Sequence, residues 1–512
     1  VLRVVAGASD LGPGGPNVST SSMVIAAGEG AIVVLVVIGA AVLYTIMPTV
    51  NMPLAMFRGS TAADPAVLGE RIKIPAGFRF TVFATGLRGA RYMRVTPNGD
   101  VLLSLSNAGE VLLLRKDSDG NGQADGQVRL LSGLDAPHGM ELLDGWLYVA
   151  EKGAIGRIKF DGVTGTTAGT YSTVLSGLPA DGNHTKKALR VGPDGWLYVN
   201  VGSSCNVCIE EDSRRSTIMR VAPDGSSSEI YASGLRNSMG FDWSPEDGAM
   251  YATNNGRDLL GDDYPLEELN RIEKGKFYGW PFSNEFGDPD PDFGAQKPAG
   301  LVATNPVHTF AAHNAPLGMT FLRSGHYPTD FHHDALVALH GSWNRRQKDG
   351  YKVVRLSWDA KGAISQADFM SGFLLDDKVI GRPVDVAESA DGSIYVSDDF
   401  SGSVYRLAYG EAGQSDNLSI AQPVTTQSVP PTLVSAEAMR AGEALYAANN
   451  CTACHGELAS AKTAQVPLQN LAARYDQAAM VALFKVPPSS MPPVTLPADD
   501  LKLLADYLLA TR

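Results

Sequence analysis

One pattern recurs six times between about Lys73 and Leu407, and it constrains the fold more than any other feature of the chain. Each copy has a turn with Asp-Gly or a relative, a short apolar strand, a gap and a second strand. Asp-Gly followed by alternating residues is a strong hairpin signal. Six units across about 335 residues give about 56 residues each, the size of a β-propeller blade. The pattern predicts a six-bladed β-propeller with a ligand site on its axis.

The copies differ in detail but keep the same order of turn and strand. They are TPNGDVLLSLSNAGEVLLL from Thr96, LLDGWLYVAEKGAIGRIKF from Leu142, GPDGWLYVNVGSS from Gly192, SPEDGAMYATNNGRD from Ser244, HHDALVALHGSWNRRQKDGYKVVRL from His332 and SADGSIYVSDDFSGSVYRL from Ser389. A β-sandwich would not repeat in this way. Since no long amphipathic helical pattern interrupts the run, an α/β sheet is also disfavoured.

The C-terminal part has a different composition and predicts a small all-α domain. The propeller is assigned to residues 73–410, a Pro/Gln/Ser/Thr-rich linker to 411–435 and the helical domain to 436–512. The net charge of −13 argues against nucleic acid as a partner and provides no basic patch for anionic lipid.

The helical domain contains the haem-attachment motif Cys451-Thr-Ala-Cys454-His455. The two thiols would add to the haem vinyl groups, and His455 would ligate the iron. Met491, in a Pro-rich loop before the last helix, is expected as the second axial ligand. Met480 lies in a helical pattern and is expected in the core. A zinc or redox motif is the alternative, but no second ligand pair lies nearby in the sequence. The motif predicts a class I cytochrome c domain.

Residues 23–48 are predicted to form a transmembrane anchor behind a tail, residues 1–22. Ala31–Met47 has no charged side chain, and these seventeen residues at helical rise cover roughly 25 Å, close to the hydrocarbon thickness of a bilayer. A signal peptide is the alternative, with a shorter apolar region of about 7 to 15 residues. Because c-type haem attachment takes place outside the cytoplasm, the domains beyond a single-pass inner-membrane anchor are expected on the periplasmic side. Gly28, Gly30 and Gly39 offer small faces to neighbouring helices and predict a larger membrane assembly.

A calcium-loop pattern occupies residues 117–125. Oxygen ligands alternate there with a glycine at position 6, and Val128 stands where a Glu is usual at position 12. The alternative is an acidic, Gly-rich hairpin tip. The predicted Ca²⁺ ligands are Asp117, Asp119, Asn121, the Gln123 carbonyl and Asp125.

From about Ile74 to Leu407 the chain resembles the soluble quinoprotein glucose dehydrogenase and aldose sugar dehydrogenase superfamily, and most closely its sorbosone and pyranose dehydrogenase-like branch. The resemblance rests on LPADGNHTKKALRVGPDGWLYVNVG, GLRNSMGFDW, NNGRD, DDYPLEELNRIEKGKFYGWP, HGSWNR and GRPVDV. It implies a six-bladed propeller that holds pyrroloquinoline quinone (PQQ) and Ca²⁺.

The resemblance also implies roles for individual residues. His184 in DGNHT matches the general base that takes the proton of a sugar hydroxyl. Arg236 and Asn237 in GLRNS match the pair that lies against the quinone. The main-chain carbonyls of Gly256 and Arg257 match those that hold the catalytic Ca²⁺, a Lewis acid.

Two further arginines are implied as cofactor ligands. Arg382 in GRPVDV matches an arginine that pairs with the cofactor carboxylates. Arg345 in GSWNR takes the place of a cationic residue beside the quinone, with Arg346 as a close rival.

Several positions depart from the family pattern. Ser203 stands where an acidic partner of the base is expected, so what fixes the tautomer of His184 is open. Val384 replaces a second cofactor-binding arginine. The expected sugar-facing segment, His308 to Pro316, has Phe310 as its single aromatic and places His313 at a lining position. Cys205 and Cys208 are expected to form a local disulfide, with a zinc or redox site as the less supported alternatives.

Together these features predict a membrane-anchored quinohaemoprotein dehydrogenase that oxidises a sugar or related hydroxyl or hydrated aldehyde. Its electrons would pass through haem c to a respiratory acceptor, a cytochrome or terminal oxidase. One alternative is a non-catalytic propeller and cytochrome subunit of a respiratory membrane complex. A Ca²⁺-dependent propeller lactonase is another, which would have no need of a haem.

Overall fold

The computed structural model describes residues 63–410, 436–455, 468, 471, 477–485, 491 and 494–510. The chain divides into two compact units, Val1–Val424 and Thr425–Arg512. The predicted tail (1–22), anchor (23–48) and linker (411–435) lie outside the described residues. No helix within the described ranges is long and apolar enough to cross a membrane.

The first unit is a ring of four-stranded antiparallel sheets. It opens with helix α1 (Pro65–Arg71) and strand β1 (Phe78–Ala84). The first blade contains β2 (Ala90–Val95), β3 (Val101–Leu105), β4 (Glu110–Leu114) and β5 (Gln127–Leu131). The second contains β6 (Met140–Leu143), β7 (Trp146–Ala150), β8 (Ala154–Asp161) and β9 (Thr166–Ser176). The third contains β10 (Leu189–Val191), β11 (Leu197–Val201), β12 (Thr217–Val221) and β13 (Ser228–Ser233).

The remaining blades carry insertions between or after their strands. The fourth contains β14 (Phe241–Trp243), β15 (Met250–Asn254) and β16 (Glu267–Ile272), then the ribbon of β17 (Ser283–Asn284) and β18 (Asp288–Pro289), a 3₁₀ turn at Gly294–Gln296, and β19 (His308–Phe310). The fifth contains β20 (Pro316–Phe321), a 3₁₀ turn at Thr329–Phe331, β21 (Ala335–Leu339), β22 (Lys352–Trp358) and β23 (Ile364–Met370). After the ribbon of β24 (Leu374–Leu375) and β25 (Lys378–Val379), the sixth contains β26 (Pro383–Glu388), β27 (Ile394–Asp398) and β28 (Ser403–Tyr409).

The ring closes through its first strand. The sixth blade contains only three consecutive strands, and β1 pairs antiparallel with β28, from Phe78 opposite Tyr409 to Ala84 opposite Val404. This pairing covers the outer edge of the sixth blade with a strand from the start of the ring. The six-bladed propeller predicted from the repeat is confirmed.

The repeated sequence explains the blades. In the third copy, Gly195 of the Pro-Asp-Gly turn has a φ of 76°, a left-handed conformation that glycine adopts without a Cβ clash. The β11 strand that follows is buried along its whole length because it lies between the faces of adjacent blades. Apolar side chains of neighbouring sheets form the core between the blades, and this packing holds the inner strands around the axis.

The second unit is helical and has its own core. Its described helices are α2 (Ala436–Ala448), α3 (Thr452–His455), α4 (Gln477–Lys485) and α5 (Ala498–Ala510). Leu501, Leu504 and Leu508 of α5 pack with Tyr446 of α2 and Phe484 of α4. A small all-α unit fits the predicted cytochrome domain.

Candidate active site

The candidate residues come from loops that precede the innermost strands. His184 lies before β10, Arg236 and Asn237 before β14, and Arg382 before β26. Because the innermost strands of the blades run along the propeller axis in the same direction, the loops before them meet at one mouth of the propeller. Ser203 joins two of these loops, because its amide donates to the Arg236 carbonyl at 2.8 Å and its carbonyl accepts from the His184 amide at 3.2 Å.

A hydroxyl group fixes the orientation of His184. Its Nδ1 lies 2.8 Å from Ser203 Oγ and 3.1 Å from the Ser203 carbonyl oxygen. The Ser203 hydroxyl donates its hydrogen to the Cys205 carbonyl at 2.8 Å, so toward His184 it can only accept. Nδ1 therefore carries the proton, and the lone pair of Nε2 is left for an incoming donor. The tautomer that the sequence left open follows from Ser203.

The electrostatic surroundings keep His184 neutral. Burial and then the positive charge of Arg236 lower its pKa from 6.5 to about 3, against a smaller opposing effect of the Ser203 backbone. A neutral imidazole with a free Nε2 is the form that a general base requires near neutral pH.

Arg236 is buried in a dense set of acceptors. Only 3% of it is exposed, and its guanidinium donates to the Asn206 carbonyl at 2.8 Å, to Asn206 Oδ1 at 2.9 Å and to Asp258 Oδ2 at 2.9 Å. Its neighbour Asn237 donates from Nδ2 to Asn255 Oδ1 at 3.3 Å. Asn237 Oδ1 is buried and has no hydrogen-bond partner within the described chain. That oxygen is left to accept a donor from a bound molecule.

The predicted Ca²⁺ carbonyls lie just after β15. The Gly256 amide donates to Glu267 Oε2 at 2.6 Å, whereas the Arg257 side chain forms ion pairs with Asp290 and Asp292 at 2.8 and 2.9 Å. Burial raises the pKa of Glu267 to about 8. Among residues 63–410 the two carbonyl oxygens accept no hydrogen bond. They are therefore available as ligands, while the Arg257 guanidinium binds Asp290 and Asp292 just after β18.

A chain of charged groups links Arg382 to the first blade. Arg382 donates from Nε to the His340 carbonyl at 3.2 Å, and its Nη2 lies 3.0 Å from His340 Nδ1. His340 Nε2 lies 2.9 Å from Asp399 Oδ1, and Arg91 pairs with the other oxygen of Asp399 at 2.6 Å. The nearby charge of Arg91, together with burial, lowers the pKa of Lys186 to about 8. Arg382, Arg91 and Lys186 thus surround the carboxylate of Asp399, while the neighbouring Asp398 accepts from the Arg382 amide at 2.9 Å.

Arg345 and Arg346 both contact the 261–263 loop. Arg345 donates to the Asp262 carbonyl at 2.6 Å and to Asp263 Oδ1 at 3.0 Å, while Arg346 pairs with Asp262 Oδ2 at 2.8 Å. The same loop contacts His313, whose Nε2 lies 2.7 Å from the Gly261 carbonyl oxygen. The Arg345 side chain is the less exposed of the two arginines, 15% against 70%.

The expectation that Phe310 faces a sugar is wrong. Phe310 belongs to β19, the outermost strand of the fourth blade, and it is buried in the core with Phe321 and Leu339. The family resemblance covers this segment but does not show that its first residues, His308–Phe310, form a strand. His313 is buried beside the 261–263 loop, closer to the mouth.

Sequence reasoning missed several charged groups of the mouth. Lys186, His340 and Asp399 stand in or beside the motifs DGNHTKKALR, HGSWNR and SDDFSG. Lys186 lies before the innermost strand β10, and His340 and Asp399 directly follow the second strands β21 and β27, so these places were a usable signal. Arg91 has no such motif. Its role is visible only because β2 lies beside β26 in the folded ring.

The predicted calcium loop connects β4 and β5. Carboxylate oxygens of Asp117, Asp119 and Asp125 lie within 4.8 Å of one another. Asp117 accepts from the Gly120 and Gly122 amides at 2.8 Å, and Asn121 Oδ1 accepts from the Gln123 amide at 2.7 Å. The oxygens are gathered at one point of an exposed turn.

The predicted haem residues lie in the helical unit. Cys451 precedes α3, and His455 ends it; the side chain of Cys454, also in α3, lies outside the described part of the structure. Met491 is half-buried against the core of this unit. Met480 is buried in that core, as its helical pattern predicts.

The residues at the mouth of the propeller fit a tricarboxylated quinone and a divalent cation. Arg91 and Arg382 both contact the His340–Asp399 pair, and the charge of Arg91 lowers the pKa of the nearby Lys186. Asn237 Oδ1 is a buried acceptor without a partner. The two carbonyl oxygens after β15 supply the hard ligands that Ca²⁺ prefers.

A propeller with a neutral base beside a cation-lined axial mouth defines the class of PQQ-dependent sugar dehydrogenase-like domains. The chain belongs to the TrAA12-like family, whose model matches residues 72–410. Residues 437–508 match the model of cytochrome C oxidase, cbb3-type, subunit III, so the propeller is followed by a cytochrome c domain.

Individual relatives agree with this assignment. An uncharacterized protein of Borreliella burgdorferi is 36% identical over 44% of this chain and 61% of its own length. An aldose sugar dehydrogenase of Escherichia coli is 27% identical over 40% of this chain and 60% of its own length. The chain thus spans about three fifths of these curated relatives. The holo form of the pyranose dehydrogenase PQQ domain from Coprinopsis cinerea has the same fold, with a TM-score of 0.56, 21% identity and coverage of 68% of this chain and 98% of that domain.

Proposed function

We propose that the protein is a quinohaemoprotein oxidoreductase that oxidises a sugar or a related hydroxyl or hydrated aldehyde. The observation that carries the proposal is the neutral His184, held by Ser203 with Nε2 free, beside the buried Arg236. Nε2 would take the proton of the substrate hydroxyl as the C–H hydrogen leaves. When bound, PQQ would supply the hydride acceptor, Ca²⁺ held by the Gly256 and Arg257 carbonyls would supply a Lewis acid, and haem c would supply the one-electron carrier.

The other residues of the mouth bind and orient. Arg236 and Asn237 would lie against the quinone, where a fixed guanidinium stabilises developing negative charge without reorganisation. Arg382 would bind cofactor carboxylates, with Arg91 and Lys186 adding to the positive field. The Gly256 and Arg257 carbonyls would hold the catalytic Ca²⁺, and Arg345 would position the 261–263 loop beside it.

The names of two relatives support a sugar as the substrate class. A protein of Escherichia coli is named an aldose sugar dehydrogenase, and one of Coprinopsis cinerea, 34% identical over 20% of this chain and 16% of its own length, is named a PQQ-dependent pyranose dehydrogenase. The activities in these two names agree with a hydroxyl-directed base in this site.

In the helical unit, Cys451 and Cys454 would carry the haem, and His455 and Met491 would ligate its iron. The match to a subunit of a respiratory oxidase supports a respiratory cytochrome or oxidase as the electron acceptor. The apolar segment 23–48 would anchor the protein in the inner membrane with both domains on the periplasmic side, within a larger membrane assembly.

The 117–125 turn would bind a second, structural Ca²⁺. Three carboxylates within 4.8 Å of one another repel, and a divalent cation would relieve that repulsion. The ligands would be Asp117, Asp119, Asn121, Asp125 and the Gln123 carbonyl.

Reconstitution tests the proposed activity. Purified PQQ-free protein is loaded with PQQ and Ca²⁺, and reduction of its haem is followed by absorbance while aldoses and aldehydes are added. Substrate-driven haem reduction that needs both PQQ and Ca²⁺ is expected. Haem that stays oxidised with a broad panel of sugars, although PQQ binds, would favour a non-catalytic subunit.

A further inference from the structure

The loop after β11 contacts both proposed catalytic residues. Cys205 and Cys208 form a disulfide in it, with 6.2 Å between their Cα atoms. Between them lies Asn206, and just before them Ser203, which holds His184. None of the roles given above explains why this short loop is cross-linked.

One contact runs from the loop to the base. The Cys205 carbonyl accepts the hydroxyl hydrogen of Ser203 at 2.8 Å, and that donation leaves Ser203 Oγ as the acceptor for His184 Nδ1. The Ser203 main-chain carbonyl, 3.1 Å from Nδ1, is a second acceptor of the same hydrogen. If the Cys205 carbonyl moved away, the Ser203 hydroxyl could turn and donate to Nδ1, and that main-chain carbonyl alone would hold the present tautomer. The other tautomer of His184, with a protonated Nε2, would then be stabilised, and this tautomer cannot accept a proton from substrate.

Asn206 makes the contacts to the second catalytic residue. Its carbonyl and its Oδ1 accept two hydrogen bonds from the Arg236 guanidinium, at 2.8 and 2.9 Å. Oδ1 also accepts from the Asp258 amide at 2.8 Å, and Nδ2 donates to the Asp258 carbonyl at 3.0 Å. Asn206 thus joins Arg236 to the chain segment that follows Gly256 and Arg257.

The end of the loop is also anchored. Glu210 accepts from the amide and from the hydroxyl of Ser204, both at 2.7 Å, and lies 3.9 Å from Arg215. These contacts fix where the loop starts and ends, whereas the disulfide fixes the path between those points. In the chain-entropy account, such a short loop gains less from a cross-link than a long one does. The local effect on Cys205 and Asn206 therefore matters more than global stability.

We propose that the disulfide-closed loop Cys205–Cys208 positions the catalytic pair, and that Asn206 is a positioning residue for Arg236. The proposal rests on the proposed function, because it assigns the loop a role in the same site. It predicts that opening the disulfide releases two constraints together, the tautomer of His184 and the guanidinium orientation of Arg236.

Nuclear magnetic resonance of the full chain tests this without any turnover. In PQQ-free protein with reduced, diamagnetic haem, ¹⁵N-histidine spectra report the tautomer of His184, assigned with His184→Gln. The Nε–H and Nη2–H signals of Arg236, assigned with Arg236→Lys, report its hydrogen bonds to the Asn206 main-chain carbonyl and to Asn206 Oδ1. We expect Cys205→Ser/Cys208→Ser to mix the two tautomers and to broaden or shift the Arg236 signal. Ile209→Ala, a change at a half-exposed side chain in the same loop, should alter neither.

Two single variants test the constraint on His184 and the constraint on Arg236 separately, and they keep the disulfide that the double variant loses. Ser203→Ala keeps the disulfide and the main-chain carbonyl 3.1 Å from Nδ1, so it should shift the Nδ1–H signal of His184 alone. Asn206→Ala keeps the main-chain carbonyl that accepts from Nε, so it should change the Arg236 Nη2–H signal alone. Asn206→Asp, which keeps an accepting Oδ1, should restore that signal. Unchanged His184 and Arg236 signals in a folded double-serine variant would overturn the proposal.

Kinetics give the matching functional readout. With a substrate found by the reconstitution experiment, the double-serine variant is expected to lose roughly tenfold to a hundredfold in kcat with little change in KM, as for misplaced catalytic groups. An unchanged kcat would count against the proposal even if the spectra moved. If the wild type oxidises no sugar, the proposed function fails, while the spectra still decide whether the loop positions the pair.

Discussion

The Ser203 hydroxyl determines which nitrogen of His184 can act as a base. In this site a serine performs the orienting task for which the family pattern provides an acid. It leaves out the negative charge that would raise the pKa of His184, so burial and Arg236 lower that pKa without a carboxylate to oppose them. The base is thereby weak but neutral over a wide pH range.

The pH dependence of turnover should show this difference. Because the pKa of His184 is lowered to about 3, kcat/KM should stay level down to about pH 5, where an ordinary histidine with a pKa near 6.5 would be protonated. His184→Ala should lower turnover by roughly a hundredfold or more while PQQ still binds. Measuring both with the exposed His326→Ala as control is sufficient. A limb near pH 6.5 that disappears in His184→Ala but persists in His326→Ala would contradict the lowered pKa of His184.

Asp385 predicts how stability changes with pH. It is buried at the axis, its Oδ2 accepts the Met93 amide at 2.8 Å, and its Oδ1 has no partner within the described residues. Burial raises its pKa from 3.8 to about 6, against the opposing charge of Arg190. The folded state therefore keeps a proton that the unfolded state loses, so this stabilisation is complete below pH 3.8 and is lost as the pH rises through about 6.

Asp385→Asn should remove the part of the pH dependence of stability that comes from this carboxyl group. The measurement is thermal unfolding of both proteins between about pH 4 and about pH 8. The unfolding temperature of the variant should rise relative to that of the wild type as the pH rises. Parallel curves for the two proteins would show that the carboxyl is already ionised in the folded chain at low pH.

The sequence located the catalytic pair because His184 and Arg236 stand in local motifs. It could not give the tautomer, since that depends on where the Ser203 hydroxyl points, which in turn depends on the Cys205 carbonyl. Arg91 and Asp399 are more than 300 residues apart in sequence and meet only because the ring closes. Such contacts have no signature in spacing.

At the level of elements, the inner strands pack so closely that small residues are required. A Cβ built on Gly318 of β20 would overlap the Asp385 carboxylate and backbone of β26. Gly318→Ala should therefore lower the free energy of unfolding by about 1–3 kcal/mol, the usual effect of overpacking. Gly325→Ala, where a Cβ meets nothing within 4 Å, is the matched control. Denaturant unfolding of the two variants measures the difference, and equal values would show that the inner strands can separate.

The helical unit allows two methionines to be distinguished. Met480 is buried in the α4 core, whereas Met491 lies outside the described helices and is half-buried. Met491→Ala should remove the weak near-infrared sulfur-to-iron band and lower the reduction potential, because a soft axial ligand raises that potential. Met480→Ala should instead destabilise the unit by about 2–5 kcal/mol and leave the band in place. Loss of the band in Met480→Ala alone would reverse the assignment.

The repeat predicted the middle strands of the blades well, because each Asp-Gly turn leads directly into a buried strand such as β11. It did not predict the outer strand of the fourth blade. There, β19 follows β16 only after the β17–β18 ribbon and a long irregular stretch. The outer strand β19 is short and carries no repeated turn, so its place is set by pairing with β16 rather than by local sequence.

At the scale of the whole molecule, two units with separate cores should unfold separately. All six tryptophans lie between residues 146 and 358, so their fluorescence reports the propeller alone. The haem absorbance reports the helical unit. Heating should give two distinct midpoints by these two probes. Coincident midpoints, with Gly318→Ala shifting both equally, would show that the units unfold together.

The closure of the ring by β1 also determines when the propeller can be completed. The sixth blade obtains its fourth strand only when Phe78 pairs with Tyr409, which lies 331 residues further along the chain. Until then β1 and β28 each present an unpaired edge, the kind of surface that recruits strands from other chains. Late non-local pairing of this kind also slows folding. A chain released or cut short before Tyr409 therefore leaves an open arc with two exposed edges, and its yield in a cell depends on holding those edges apart until synthesis has passed that point.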